Sequence, residues 1–570
     1  MRTYDFAQRL RVRESQVFIF ITILIGVFAG LAAVIFTLSI KFVTLFFFGI
    51  DPSPLRILAI PTAVSFVSGV LLWKYFPEAR GSGVPQTEAA FHLNHGQIRA
   101  RVPFGKFITG VLCIGCGHSM GREGPSVQIG AGLASIIGKW FHLSPARARN
   151  LVPVAAAAAL GAAFNTPIAA VLFALEEIIG DMNAVLLGSA VAASVTAVVV
   201  ERSILGNNPV FHVPVYHLLN SMELIAYAGL GIVGGIVSLA FSQGLLRIRA
   251  FFLRWPVKIR WFQPAVGGLF IGVMLIFVPQ VRGVGYEFVD QALNGGLLFK
   301  TMIILCSAKL VATIISYASG NAGGIFAPTL YLGAMAGGSI GVLVHRFAPF
   351  IASSPGAYAL VGMGALFAGI IRAPLTSVFM IFELTQDYQI FLPLMIANML
   401  SFVIARHYQS KPLYRALLEQ DNVHLPDLRA RTTFPGWRAR DIMTREFTMI
   451  PSATPVVKVA NSFIEDGLKC LPVGDNDSLI GLVTWEQVHE AMTSGLGGKP
   501  ISSIATRTFP HTHSDHPIEV VLERLDKSPG LLPVVDRNAT GHLEGVITHE
   551  NVTQFVENKW KDRTGSKRSV

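Results

Sequence analysis

The sequence predicts an all-α polytopic membrane domain made of two related halves, followed by a polar α/β tail built from two similar units. Of 570 residues, 52% are hydrophobic and only 14% charged, against a charged share of about 25% in soluble proteins. Apolar segments follow one another from about Val17 to about His407, and from Gln409 onward the composition becomes that of a soluble domain. Within the apolar region the same order of loops, breaks and acids occurs twice.

Residues 1–16 form a basic segment whose Arg2, Arg9, Arg11 and Arg13 assign it to the cytoplasm under the positive-inside rule. The membrane domain is taken as residues 17–418. Its first span, Val17 to Ile40, carries no charge, and about 24 residues of helix make roughly 36 Å, enough to cross some 30 Å of hydrocarbon. It is too long for a signal-peptide core and lacks a small-residue cleavage site, so it is kept in the mature chain. A polar stretch, Glu201 to Asn220, divides the region near its middle. Each half then holds a Gly-rich loop ending in Pro that opens a helix. An Ala/Gly-rich helix follows, then a break (Asn165 to Pro167, Arg372 to Pro374) and an apolar run ending in acid (Glu176 and Glu177; Glu383). Such repetition marks an internal repeat, and helix breaks at membrane depth are tolerated where backbone lines a cavity. Leu413 to Leu418 reads as a short helix and residues 419–438 as a linker. Two α/β units span 439–495 and 500–556, and 557–570 is a polar tail. In the first unit a helix over Val456 to Glu465 precedes strands at Cys470 to Val473 and Leu479 to Thr484. The second repeats this with Pro517 to Leu525, Leu531 to Val535 and His542 to Thr548.

The net charge of +11 does not indicate a nucleic-acid partner, because Lys and Arg are spread thinly over loops and tails. Membrane topology and attraction to the bilayer surface account for it. Four cysteines give no disulfide framework. Cys113 and Cys116 form a CxxC with His118 nearby, but no second ligand pair has suitable spacing. Small-residue packing in a buried helix over Val111 to Met120 is the favoured reading over a metal or redox site.

Two short stretches carry the chemistry: Gly121-Arg122-Glu123-Gly124-Pro125, and Gly324-Ile325-Phe326-Ala327-Pro328. In both, Gly removes bulk, Pro suits a first helical position, and the free N–H groups of the next helix can face a negative ion. An anion pathway follows. Glu123 is a functional candidate because an ionisable residue at membrane depth is costly.

At these residues the chain resembles the CLC family of chloride channels and proton-coupled chloride transporters. Gly81-Ser82-Gly83-Val84-Pro85, Gly121 to Pro125, Gly324 to Pro328 and the tyrosine of Lys411-Pro412-Leu413-Tyr414 match the family's anion-site motifs in order, over roughly residues 15 to 420. The tail units resemble paired CBS domains. The resemblance implies a homodimer with one pathway per subunit, inverted halves of tilted and broken helices, and both termini cytoplasmic. The membrane would be the plasma membrane, or the inner membrane of a bacterium. It implies chloride and protons as the ions moved, no required cofactor, and no enzymatic activity.

By the same resemblance, Ser82 and Tyr414 contact a central chloride, with the backbone N–H groups of Ile325 and Phe326 completing its shell. Without the family, Ser82 reads as a helix cap and Tyr414 as an interfacial anchor. Glu123 matches the gating glutamate, and Glu177 the internal proton-transfer glutamate that the family's channels replace with an apolar residue. Exchange, two chlorides per proton in relatives, is therefore preferred to passive conduction. Ser82 matches chloride-selective relatives, where nitrate-preferring ones have Pro. In CBS pairs a Thr or Ser and an Asp three positions on hold an adenine nucleotide's ribose. Here the positions are Thr484 with Gln487 and Thr548 with Asn551. Both carboxylates are absent, so a dimerising or gating role is preferred to nucleotide binding.

Overall fold

The structure, a computed structural model, describes residues 2–49, 51–181, 184–207, 210–211, 213–214, 216, 220–350, 354–385, 387–423, 425, 437–466, 470–475, 478–537 and 541–555, with side chains from Phe18 onward. The side chains of the arginines before the first span, most of the linker and the 557–570 tail therefore lie outside what is described. The chain divides into two compact units, 1–426 and 427–570.

Sixteen helices of the first unit fall into two sets of eight in the same order. The first set is α1 (Arg2–Phe48), α2 (Pro54–Lys74), α3 (Val84–His92), α4 (Arg101–Gly115), α5 (Glu123–Trp140), α6 (Pro145–Phe164), α7 (Pro167–Phe173) and α8 (Ala184–Leu205). The second is α9 (Glu223–Leu253), α10 (Gln263–Phe277), α11 (Tyr286–Leu293), α12 (Phe299–Ala318), α13 (Phe326–Phe347), α14 (Pro355–Ile371), α15 (Pro374–Thr385) and α16 (Phe391–Tyr408). A further helix, α17 (Leu413–Gln420), follows. Packing repeats with the order: α5 lies on α6 as α13 lies on α14, α1 on α8 as α9 on α16, and α7 meets its counterpart α15.

Side-chain anchors repeat too. After a 3-10 turn, Pro77–Ala79, the Lys106 ammonium of α4 donates to the carbonyls of Ala79 (3.0 Å) and Gly81 (2.5 Å). After Pro279–Val281, Lys309 of α12 donates to those of Val281 (3.1 Å) and Gly283 (2.7 Å). A buried ammonium needs such acceptors, since an unpaired one would be costly in an apolar interior.

Eight stretches among the described residues are long and apolar enough to cross a bilayer. The first runs Phe18–Phe48, so the opening span continues eight residues beyond the expected Ile40, because Phe42 to Phe48 keeps the apolar run going. Phe46, Ile225, Phe277 and Phe347 are 71–79% exposed, an apolar surface that lipid would cover. The protein is an integral membrane protein. Glu201, expected in the dividing loop, lies inside α8. Helix α4 stops at Gly115, short of the helix to Met120 that the sequence predicts, because Gly117 at φ +100° turns the chain.

In the second unit the order is α18 (Ala439–Ile442), α19 (Val456–Asp466), β1 (Cys470–Asp475), β2 (Ser478–Thr484), α20 (Trp485–Thr493), α21 (Ile518–Leu525), β3 (Leu531–Val535) and β4 (Leu543–Thr548). Strands β1 and β2 pair antiparallel with Leu471 opposite Val483, and β3 and β4 with Leu532 opposite Ile547. Each hairpin buries its apolar residues under its own helices, Val456, Val459 and Val488 in one unit, Ile518, Val521 and Leu525 in the other.

Candidate functional site

Three glycine-rich turns meet at one point in the membrane domain. Gly121 and Gly324 exchange both backbone hydrogen bonds, at 2.7 and 2.8 Å, and the Gly323 N–H donates to the Gly81 carbonyl at 3.1 Å. The starts of α3, α5 and α13 are thereby tied together. Glycine is required for this approach: a β-carbon on Gly124 would stand 2.5 Å from Ser82 Oγ and 2.7 Å from the Ser82 carbonyl. Gly83, at φ +107°, would strain any side chain. Pro85 is the second residue of its helix, and Pro125 and Pro328 the third of theirs, slightly inside the first position the sequence reading gave them. First-turn N–H groups have no intrahelical acceptor, so Pro costs nothing there.

The turns gather Ser82, Glu123, Ile325 and Phe326, all buried, and α17 brings Tyr414 to the same place. Ser82 does not cap α3, whose cap position is Gly83, with its own N–H donated to Gln86 Oε1 at 2.9 Å. The Ser82 hydroxyl and the Tyr414 phenol are near neighbours, and neither oxygen makes a well-formed hydrogen bond among the described residues. At 1% exposure Tyr414 is no interfacial anchor. Ile325 precedes the first residue of α13, Phe326, so their N–H groups are free of intrahelical bonds. The Phe326 ring packs against Phe164, Phe173 and Phe367, with centroids at 4.9, 5.6 and 4.4 Å. Arg122 points elsewhere, donating to Thr37 Oγ1 (2.9 Å) and the Ala163 carbonyl (3.2 Å).

Glu123 is the first residue of α5, and its carboxylate folds back over Gly121, where a β-carbon would collide with Oε2 and lie 3.1 Å from the Ala327 nitrogen. The carboxylate thus lies at the N-terminal end of α13, where a helix dipole attracts negative charge. Oε1 accepts a 2.6 Å hydrogen bond from the Tyr286 phenol.

Two cavities approach this centre. One, about 1040 Å³, is lined by Arg80, Gly81, Gln86, Arg249, Arg260 and Tyr317 among others and reaches the Ser82 turn. The second, about 650 Å³, reaches Phe164, Phe211 and Glu383.

Glu177 lies in a π-helical turn, Ala174–Ile179, that continues α7. Rare windings of this kind gather at functional sites. Its charged neighbours are Glu88, Arg415, Glu176 and Arg372. Glu88 is 1% exposed and paired with Arg415 Nε at 3.3 Å. Arg415 directly follows Tyr414, so this acidic cluster adjoins the Tyr414 side of the centre. The two acids at the end of the run differ. Glu176 accepts the N–H of Thr376 at 2.9 Å and so caps α15, while Glu177 makes no such cap.

Sequence reasoning missed Tyr286, Glu88, Lys106 and Lys309. Tyr286 could have been found by aligning Gly283-Val284-Gly285 with Gly81-Ser82-Gly83, and Glu88 as a carboxylate three residues after the Pro of the first glycine turn.

The Cys113–His118 region is a buried polar network. Cys113 Sγ lies 3.3 Å from Asn321 Oδ1 and 3.1 Å from Ser68 Oγ, and the His118 ring nitrogens meet Ser65 Oγ (2.5 Å) and Ser316 Oγ (3.2 Å). In the tail, Thr484 and Thr548 sit at helix starts. Gln487 Oε1 accepts the Thr484 N–H at 2.9 Å, and Asn551 Oδ1 accepts both the N–H and the hydroxyl of Thr548, at 2.9 and 2.8 Å.

A family model described as voltage gated chloride channel matches residues 63–406, and the CBS domain model matches 439–494 and 501–558. A relative named H(+)/Cl(-) exchange transporter ClcA, from Vibrio campbellii, is 30% identical over 431 residues, 73% of this chain and 92% of that protein. The crystal structure of a slow cyanobacterial Cl-/H+ antiporter is 28% identical with a TM-score of 0.65, covering 71% of this chain and 97% of its own. A eukaryotic CLC transporter, 21% identical, shares the fold over 94% of this chain and 97% of its own at a TM-score of 0.64. With its doubled helix set, its bridged glycine turns and these matches, the chain belongs to the CLC family, the voltage gated chloride channel family, and carries a tandem CBS pair after the membrane domain.

Proposed function

We propose that the protein exchanges chloride for protons, with Glu123 as the gating and outer proton carboxylate and Glu177 as the inner proton carboxylate. The observation that carries this reading is the fold-back of the Glu123 carboxylate onto the start of α13. A carboxylate there occupies a place whose donors equally suit a halide, so the two anions exclude each other, and protonation of Glu123 removes the contender. The remaining shell is made of weak donors. Removing water from chloride without compensation would cost tens of kcal/mol on a Born estimate. A full positive charge would bind too tightly for turnover, whereas a helix N-terminus contributes about 0.3 to 2 kcal/mol. The unpartnered hydroxyls of Ser82 and Tyr414 and the N–H groups of Ile325 and Phe326 supply several such donors at once.

Exchange needs a proton route that does not share the whole anion path. Glu177, among Glu88, Arg415 and Arg372, offers a second carboxylate near Tyr414. The name of the Vibrio relative and the cyanobacterial structure support the same reading. The test is reconstitution in liposomes with a chloride gradient. An exchanger drives protons uphill, whereas a chloride channel moves none.

The protein is further assigned to homodimers with one pathway per subunit in the plasma membrane, the inner membrane in a bacterium. Arg2, Arg9, Arg11 and Arg13 before the first span support a cytoplasmic N-terminus, with the tail on the same side. In the tail, Gln487 and Asn551 are engaged in helix caps with Thr484 and Thr548. A dimerising or gating role therefore suits the pair better than recognition of an adenine nucleotide.

A further inference from the structure

We propose that the Tyr286 phenol is a latch on Glu123. It holds the carboxylate in the anion cradle and sets how fast the cycle turns, an assignment that rests on the reading of Glu123 as the gate. The 2.6 Å bond from Tyr286 to Glu123 Oε1 has the length of a charge-assisted O–H···O⁻ contact. Backbone N–H groups such as that of Ala327 are nearby donors, and Tyr286 is the one side-chain hydrogen-bond donor to this carboxylate among the described residues. Before an anion can take the place, that bond has to break.

The latch is rigidly presented. Tyr286 is the first residue of α11, directly after Gly285 at φ +80°, and its ring stands edge-on to Phe211 with centroids 5.0 Å apart. The turn beneath it is pinned by Lys309, whose ammonium holds the carbonyls of Val281 and Gly283. A phenol on such a support loses little freedom on bonding, so more of the bond's strength is expressed.

The repeat explains why a donor stands here. In the first half, the turn after Pro77–Ala79, pinned by Lys106, delivers Ser82 to the centre. In the second half, the equivalent turn after Pro279–Val281, pinned by Lys309, delivers Tyr286 to the same centre. The hydroxyl has moved along the turn, from the residue between the two glycines to the residue after them. One copy of the turn serves the anion and the other serves the anion's competitor. Phe211, which backs the Tyr286 ring, also lines the 650 Å³ cavity, so one aromatic ring separates the latch from that cavity.

Tyr286 is a positioning residue, and its test must separate action through Glu123 from a structural effect. Initial chloride efflux and proton coupling are measured in liposomes for the full-length protein, Tyr286→Phe, Glu123→Ala and the double variant. Phenylalanine keeps the ring on Phe211. Because a hydrogen bond to a charged group is the strong kind, Tyr286→Phe is expected to raise turnover about tenfold with the chloride-to-proton ratio unchanged. The curve of flux against pH shifts to higher pH, since the lost bond favoured the ionised carboxylate. In the Glu123→Ala background the gain disappears, as a double-mutant cycle requires of a residue acting through its partner. Unchanged or slower turnover in Tyr286→Phe overturns the latch, as does an equal gain without Glu123. Coupled exchange surviving in Glu123→Ala would instead remove the gate reading, and the latch with it.

Discussion

Glu123 and Glu177 are separated by what surrounds each carboxylate. Glu123 lies over Gly121 at the start of α13, in the place proposed for an anion, with Arg122 as its charged neighbour and the Tyr286 phenol as its side-chain hydrogen-bond donor. Glu177 has four charged neighbours, Glu88, Arg415, Glu176 and Arg372, and lies close enough to Tyr414 to act on it electrostatically. Amide replacement keeps the shape of either side chain and removes both charge and titration. Glu123→Gln is therefore expected to leave chloride flux running with proton movement uncoupled from it. Glu177→Gln is expected to stop proton movement while sparing much of the chloride flux. Parallel recordings of chloride efflux and proton uptake in liposomes check both, and full coupling in either variant removes that residue from its role. Glu176 is the built-in control, one position away and already committed to the N–H of Thr376.

At the level of elements, α7 and α15 hold each other by a reciprocal exchange of carboxylates. Glu383 of α15 accepts the N–H groups of Ile168 (2.9 Å) and Ala169 (2.7 Å) at the start of α7, and Glu176, just past α7, accepts that of Thr376 near the start of α15. Both helices follow a residue in the left-handed region, Asn165 at φ 60° and Arg372 at φ 70°, which leaves their first N–H groups open. A charged cap on such an end is worth roughly 1 kcal/mol. Glu383→Gln and Glu176→Gln should each lower the thermal midpoint of the detergent-solubilised protein by a few degrees, about 2–4 °C per kcal/mol for a large domain, while proton coupling stays at the wild-type ratio. Lost coupling in Glu176→Gln would assign it to proton transfer as well. The sequence already displayed the breaks and the acids that end both runs, because Pro and an ionisable residue stand out against apolar neighbours. That each acid serves the other half's helix could not be read there, since the partners are about two hundred residues apart in the chain. The second glycine turn marked the position of Tyr286 in the sequence, but not the Glu123 carboxylate that it meets, which lies 163 residues away in the chain.

For the whole molecule, the question is what each unit contributes. All the residues proposed to meet chloride or protons, from Ser82 to Tyr414, lie in the unit that ends at Pro426. The CBS pair forms a unit with its own two hairpin cores, and its composition announced it in the sequence, where charge and β-branched strands replace the apolar runs. The Vibrio relative aligns along 92% of its own length over 73% of this chain, so about a quarter of this chain lies outside that match. A regulatory unit acts by shifting the populations of conformations that already exist, and it can shift them only by its differential affinity for those states. The ratio of chloride to protons, in contrast, is fixed inside the pathway by which carboxylate leaves the cradle and which one carries the proton. Truncation after Pro426 is therefore expected to preserve the coupling ratio, with turnover rate as the quantity the tail is free to change. Measuring the reversal potential of reconstituted truncated and full-length protein gives that ratio independently of rate. A shifted reversal potential in a monodisperse, folded truncation would place the tail within the coupling machinery itself.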